Sequence, residues 1–277
     1  MPAAPIKRQK RLPENGRDSL WNRIRQEAEE AANADRTIAG FLRFAILDQD
    51  SLEQAVINRL VDRLHHHDID RDVLQHTFFD AAAMIKNWSS ILQADIHAVV
   101  DRDPSSHRMV ESVLYFKGFH AIQTHRIAHI FWKEGRRDFA YYLQSRSSSV
   151  FQTDIHPAAR IGSGTFLDHA TGFVVGETAV IEDNVSILHS VTLGGTGKSG
   201  GDRHPKICNG VLIGAGAKIL GNIEVGACSM VASGSVVLSG VPPHVTVAGV
   251  PARIVGMTAC REPACSMDQT FVYGDGI

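Results

Sequence analysis

From Ile155 onward an apolar side chain recurs at every sixth residue. One series runs Ile155, Ile161, Leu167, Phe173, Ala179, Val185 and Val191, and a second runs Ile207, Ile213, Ile219, Val225, Val231 and Val237. An α-helix repeats near 3.6 residues and a strand at 2, so neither carries this pattern. A parallel β-helix of hexapeptide repeats does: each hexad forms one flat face of a triangular coil and points its apolar residue inward onto the coil below. Gly162, Gly214 and Gly226 directly follow aliphatic positions, and Ala159, Thr165, Thr171, Ala217, Ser229 and Ser235 fall four places after apolar ones, where tight corners want small residues.

The two series are out of phase, since the step from Val191 to Ile207 is not a multiple of six. Something interrupts the coil, and the interrupting stretch reads Leu193-Gly194-Gly195-Thr196-Gly197-Lys198-Ser199-Gly200-Gly201-Asp202-Arg203-His204-Pro205. A glycine-rich loop on a rigid solenoid is a place where function concentrates. A phosphate-cradling loop is excluded by spacing, because GxxxxGK[ST] must join a strand to a helix.

Upstream the grammar is helical. Asp18 to Asn33 is rich in Ala, Glu, Arg and Gln, with Leu20, Trp21, Ile24 and Ala28 at helical spacing, and Ile38–Leu47, Leu52–Leu64, Val73–Lys86 and Tyr115–Glu134 continue in kind. Breaks fall at Asp68-Ile69-Asp70, at Asp103-Pro104-Ser105-Ser106 and at Gly135. The chain therefore divides into a flexible basic leader (1–16), an all-helical domain (17–150), a β-helix (151–256) and a flexible C-terminal tail (257–277), an α+β protein.

Composition narrows the function. A formal net charge of -2 over 277 residues argues against a nucleic-acid partner. No apolar run approaches the ~18 residues of a membrane span, and Lys7, Arg8, Lys10 and Arg11 have no apolar core behind them to make a secretory signal. Cys208, Cys228, Cys260 and Cys265 form no CxxC pair and read as reduced thiols in a cytoplasmic protein without a bound metal.

Several runs carry a family resemblance. Asp154-Ile155-His156-Pro157-Ala158-Ala159, Leu167-Asp168-His169-Ala170-Thr171-Gly172, Gly194-Gly195-Thr196-Gly197-Lys198, Gly201-Asp202-Arg203-His204-Pro205-Lys206 and Gly249-Val250-Pro251-Ala252-Arg253 resemble the serine acetyltransferases. Asp101-Arg102-Asp103-Pro104, Lys117-Gly118-Phe119-His120 and the terminal Tyr273-Gly274-Asp275-Gly276-Ile277 extend the likeness beyond the β-helix, while Cys228-Ser229-Met230 and Thr258 to Met267 depart from it. The resemblance implies a left-handed coil and transfer of acetyl from acetyl-CoA to the hydroxyl of L-serine, the first step of cysteine biosynthesis.

A serine hydroxyl needs a base, and a positioned histidine contributes roughly 100- to 10,000-fold. His169 is the candidate, and the resemblance gives Asp154 the orienting role. The step from Asp154 to His169 is close to one coil of three hexads, so the two are expected to stack along one edge. Arg203 and His204 suit the substrate carboxylate; the resemblance assigns its ammonium to Asp103 and Asp168. Gly195, Ala215 and Arg253 are expected to contact coenzyme A. The resemblance further implies a hexamer built from two trimers, inhibition by L-cysteine, and capture of O-acetylserine sulfhydrylase through Ile277.

Other functions remain open at this point. A zinc-dependent carbonic anhydrase of the β-helical type would use His169 and His204, whose spacing resembles that family's first pair, but its third histidine is replaced by Asn209. A hexapeptide acetyltransferase with another hydroxyl or amine acceptor, or a binding scaffold, would share the repeats.

Overall fold

The computed structural model describes residues 18–197 and 200–269. The expected leader 1–16 and the terminal Ile277 lie outside them.

Among the described residues, eight helices form the first half: α1 (Asp18–Ala34), α2 (Arg36–Leu42), α3 (Leu52–Leu64), α4 (Arg71–Ala83), α5 (Trp88–Arg102), α6 (Met109–Leu114), α7 (Lys117–Lys133) and α8 (Arg137–Phe151), with a π-helical turn at Arg43–Leu47. Their starts follow local chemistry. Asp35, Ser51 and Asp70 each accept a backbone N–H of the first turn of the helix that follows. Phe78, Phe131, Phe151, Leu60 and Leu64 are fully buried in the core they share.

The second half is a left-handed parallel β-helix with three faces. Face one stacks β1 (Thr153–Ile155), β4 (Phe173–Val175), β7 (Thr192–Gly194), β10 (Lys218–Leu220) and β13 (Val236–Val237). Face two stacks β2 (Arg160–Ile161), β5 (Val180–Ile181), β8 (Lys206–Ile207) and β11 (Glu224–Val225). Face three stacks β3 (Phe166–Leu167), β6 (Ser186–Ile187), β9 (Leu212–Ile213), β12 (Met230–Val231) and β14 (Val245–Gly249), and β15 (Ala252–Met257) closes it antiparallel to β14.

The sixfold phase needs one correction. Ile155 registers with Val175, and Leu193 stands on Val175, so Val175, Ile181, Ile187 and Leu193 form the stacked columns. Phe173, Ala179, Val185 and Val191 fill a second inward position two residues earlier, all at most 1% exposed. The first coil, Ile155 to Val175, is longer by two residues than the next, Val175 to Leu193. The extra pair falls in the turn around His169 and Ala170, whose φ angles are 54° and 57°. A second enlargement follows. Ile207 registers with Ile181 and Val225 with Ile207, and the first of these steps exceeds the second by eight residues. That excess is thrown out as the glycine loop.

The helical domain sits on the first coil. Gly118 lets α7 press against β3; a Cβ there would stand 2.0 Å from the Leu167 carbonyl oxygen. Arg126 pairs with Asp95 at 2.7 Å, and its Nη1 and Nη2 also donate to the Ile161 and Gly162 carbonyls. Asp95 in turn accepts the Thr165 backbone N–H at 3.1 Å. Arg102 donates to Gly164 O and Ser186 Oγ.

The stretch expected to be a flexible tail from 257 is packed through Gln269. Thr258 N bonds His244 O, α9 (Pro263–Ser266) bonds Gly210 O through Ala264 N, and Met267 packs against Ala98, Val99 and Phe166. Backbone carbonyls of the coil hold it, and these leave no pattern in the sequence.

Candidate active site

Two groups of side chains gather at the two corners that flank face one. At the corner between faces three and one, the positive-φ turn swings His169 outward, and its imidazole is 74% exposed. Asp168 Oδ1 lies 3.7 Å from His169 Nε2. His189, one coil above, meets the His169 ring edge-on with centroids 5.9 Å apart. The end of α5 brings in Asp103, whose Oδ1 accepts from Ser105 N and Oγ. Burial pushes the Asp168 carboxyl up from its ordinary range; His169 and His189 oppose this, and the charge of Asp103 adds to it. Two carboxylates held together in this way favour a cation between them.

Lys117, at the start of α7, fastens this turn. Its Nζ donates to Thr171 Oγ1 at 2.5 Å and to Gln152 Oε1 at 3.1 Å.

At the corner between faces one and two, the glycine loop returns. The Thr178 backbone N–H donates to His204 Nδ1 at 3.2 Å, so the neutral ring carries its proton on Nε2. Burial, with Arg203 and Lys206 nearby, lowers the His204 pKa and keeps that neutral form. Nε2 lies against Gly176, where a Cβ would stand 2.0 Å away. Arg203 Nη2 donates to Glu177 Oε2 at 2.7 Å, and its Nη1 donates to Gly201 O. This bond to Glu177 holds the Glu177 carboxyl below its usual range. Gly195 lies beside both, within 3.4 Å for a Cβ built upon it.

The remaining candidates are spread out. Asp154 is exposed on face one, where its register partner is Val174, not His169. The one-coil stacking expected from the Asp154–His169 spacing is corrected by the enlarged first coil; the Asp154 carboxylate accepts instead from Gln144 Nε2 at 2.5 Å. Ala215 sits on the His169 side, since the next residue, Gly216, bonds the His189 carbonyl. Arg253 is exposed on β15.

Sequence reasoning missed His189, Lys117, Glu177 and Thr178. The step from His169 to His189 equals that from Leu167 to its register partner Ile187, so noticing the two-residue slip would have found His189. Among the described residues, the grouping of three potential metal ligands is His66, His67 and Asp68, in the turn between α3 and α4.

Comparison with known proteins agrees over both halves. Residues 20–124 match the N-terminal model of serine acetyltransferase, and 204–239 match the bacterial transferase hexapeptide model of six repeats. A serine acetyltransferase of Escherichia coli K12 is 51% identical over 265 residues, covering 93% of this chain and 97% of the relative. The serine acetyltransferase of Brucella abortus S19, solved in complex with coenzyme A, superposes with a TM-score of 0.86 at 66% identity, covering 88% of this chain and 97% of that one. A serine acetyltransferase solved in complex with cysteine gives a TM-score of 0.90 at 47% identity, covering 93% and 100%.

Proposed function

This chain belongs to the serine acetyltransferase family, and from that premise we propose how its two corners divide the reaction. It is a serine O-acetyltransferase that moves acetyl from acetyl-CoA to the hydroxyl of L-serine, giving O-acetyl-L-serine in cysteine biosynthesis. His169 takes the proton from serine Oγ as that oxygen attacks the thioester carbonyl. The tetrahedral intermediate collapses, the carbon–sulfur bond breaks, and the imidazolium returns its proton to the departing coenzyme A thiolate. Backbone N–H groups of the glycine loop receive the charge that develops on the carbonyl oxygen.

Asp103 and Asp168 hold the ammonium of serine, an assignment supported by the nearness of the two carboxyls, where the charge of Asp103 adds to the burial that raises Asp168. Arg203, with donors left beyond Glu177, and the Nε2–H of His204 take the carboxylate. Asp154 orients His169, and Gly195, Ala215 and Arg253 line the coenzyme A path. These last roles rest on the family likeness.

The observation that carries the reading is the division itself. Within one chain, face one stands between the His169 corner and the Arg203 corner. A threefold assembly that sets one corner against the other corner of the next copy completes each site at a seam, and pairing of two trimers through the helical domain makes the hexamer. Cysteine shares the ammonium and carboxylate of serine and competes for the same seam. Ile277 binds O-acetylserine sulfhydrylase, and the enzyme works in the cytoplasm; among the described residues no helix is long and apolar enough to cross a membrane.

The test is acetyl-CoA turnover over a panel of alcohol acceptors, repeated with Arg203→Ala. Serine should be preferred, with cysteine competitive against it, and Arg203→Ala should weaken both together. Equal turnover of unrelated alcohols, or cysteine inhibition undiminished in Arg203→Ala, would overturn the assignment.

A further inference from the structure

The link between α3 and α4 reads His65-His66-His67-Asp68-Ile69-Asp70. Its backbone is tied at both ends. Arg146 of α8 donates from Nε to Leu64 O at 3.0 Å, Ile69 N bonds His66 O at 3.3 Å, and His66 and Ile69 form an antiparallel bridge. Beyond the turn, Asp70 accepts the Asp72 backbone N–H at 2.8 Å and starts α4, while Arg71 reaches back to Asp62 of α3 at 2.6 Å. The side chains displayed in between therefore stand on a turn with little freedom to rearrange.

Three donors converge there. His66 Nδ1 lies 2.8 Å from Asp68 Oδ2, and His67 Nε2 lies 3.3 Å from Asp68 Oδ1. The two imidazole centroids are 3.9 Å apart, and one ligand atom from each of the three residues lies within 4.8 Å of the others. An ion bonded to imidazole nitrogen and carboxylate oxygen at about 2.0–2.2 Å holds neighbouring donors about 3 Å apart. Two of the separations already have that length. An imidazolium–carboxylate contact would explain either distance alone, but two such rings would bring like charges face to face. Two neutral nitrogens and a carboxylate around one cation meet no such conflict. The side chains of His66, His67 and Asp68 are 38%, 82% and 48% exposed, so an ion can enter and water can complete its coordination. The ion would also stand just past the C-terminus of α3, the negative end of the helix dipole.

We propose that His66, His67 and Asp68 form a binding site for a divalent first-row transition ion, apart from the acetyl-transfer site. Imidazoles with one carboxylate suit zinc, nickel and copper, whereas magnesium and calcium want oxygen donors throughout. Three protein donors leave coordination positions open, so the ion is exchangeable and not locked in. When bound, it clamps the α3–α4 turn and stabilises the helical domain by mass action.

The test uses the full-length protein without an affinity tag, stripped with EDTA and titrated with Zn²⁺ in a calorimeter. One ion per chain should bind at this turn, Cu²⁺ should bind more tightly than Zn²⁺, and Mg²⁺ should not bind. Affinity should fall at least about tenfold in His66→Ala, His67→Ala and Asp68→Asn. It should persist in His76→Ala, whose imidazole donates to the Asp72 carbonyl on α4. Acetyl transfer should be unchanged in metal-free His67→Ala, which reports that the variant is folded. Electron paramagnetic resonance of the Cu²⁺-loaded protein should show two nitrogen donors, and one in His67→Ala. No saturable Zn²⁺ binding, binding undiminished in both His67→Ala and Asp68→Asn, or binding lost in His169→Ala instead would each overturn the proposal.

Discussion

The two halves of the molecule bury polar groups of different kinds, small hydroxyls such as Ser186, Ser229 and Ser235 in the solenoid and charged or amide groups in the helical domain. The β-helix fills its interior with aliphatic columns that return coil after coil, as in Ile155, Val175, Leu193, Ile219 and Val237. The helical domain buries a set of polar side chains used once each: Asp95, His120, Gln123, His125 and Arg126 are all at most 7% exposed. Repetition makes the solenoid's core uniform, so its chemistry appears where repetition breaks, at the extra residues around His169 and in the glycine loop. The helical domain has no repeat to break. Its singular buried contacts instead fix it to the first coil and bring Asp103 and Lys117 to the His169 turn.

The largest expected effect falls on the broken repeat. His169→Ala should lower acetyl-CoA turnover by roughly 100- to 10,000-fold while leaving thermal unfolding unchanged, because the side chain is exposed. Asp154→Asn should lose less than His169→Ala. If His169→Ala unfolds the coil, the separation of chemistry from core is wrong.

Next comes the singular polar contact. Asp95→Ala strands the buried guanidinium of Arg126 and should cost about 3–5 kcal/mol by urea unfolding. Hydrogen exchange should show α5 and α7 loosening while the later coils keep their protection. Loosening spread evenly over both halves would erase the contrast.

Acid sharpens the contrast further. Burial lowers His120 and His125 from 6.5 to about 3 in the fold, and in each ring Nε2 donates to a carbonyl while Nδ1 has no partner among the described residues. The unfolded chain therefore takes up these protons first. Stability is full above pH 6.5 and falls between there and about 3, by about 1.4 kcal/mol per pH unit for each histidine. Unfolding followed at several pH values should show the helical domain leading.

The smallest effect belongs to the repeat itself. Ile219→Val in its column should cost about 0.5–1.5 kcal/mol, and exchange changes should stay within adjoining coils.

How much of this was legible follows the same division. Period six announced the coil, and the phase break announced the loop. The slip at His169 stayed hidden because both inward positions of each hexad are apolar, so Phe173, Ala179, Val185 and Val191 prolonged the first series without a gap. α5 went unread because its inward stripe includes Asp95 and Arg102, which look like surface residues until their partners are known. Asp103, Asp168, His169, Arg203 and His204 were visible as motif residues, but their division between two corners depends on coil lengths that only the register supplies.

The glycine loop has one more consequence. Ile207 stands on Ile181 and Ile219 on Leu193, so the coils close around the loop's exit and return as if nothing lay between them. The solenoid is a socket, and the loop is an exchangeable fitting. The stacked columns on either side do not pass through that fitting, so a change in its length at residues 197–201 should leave the register of the coils untouched.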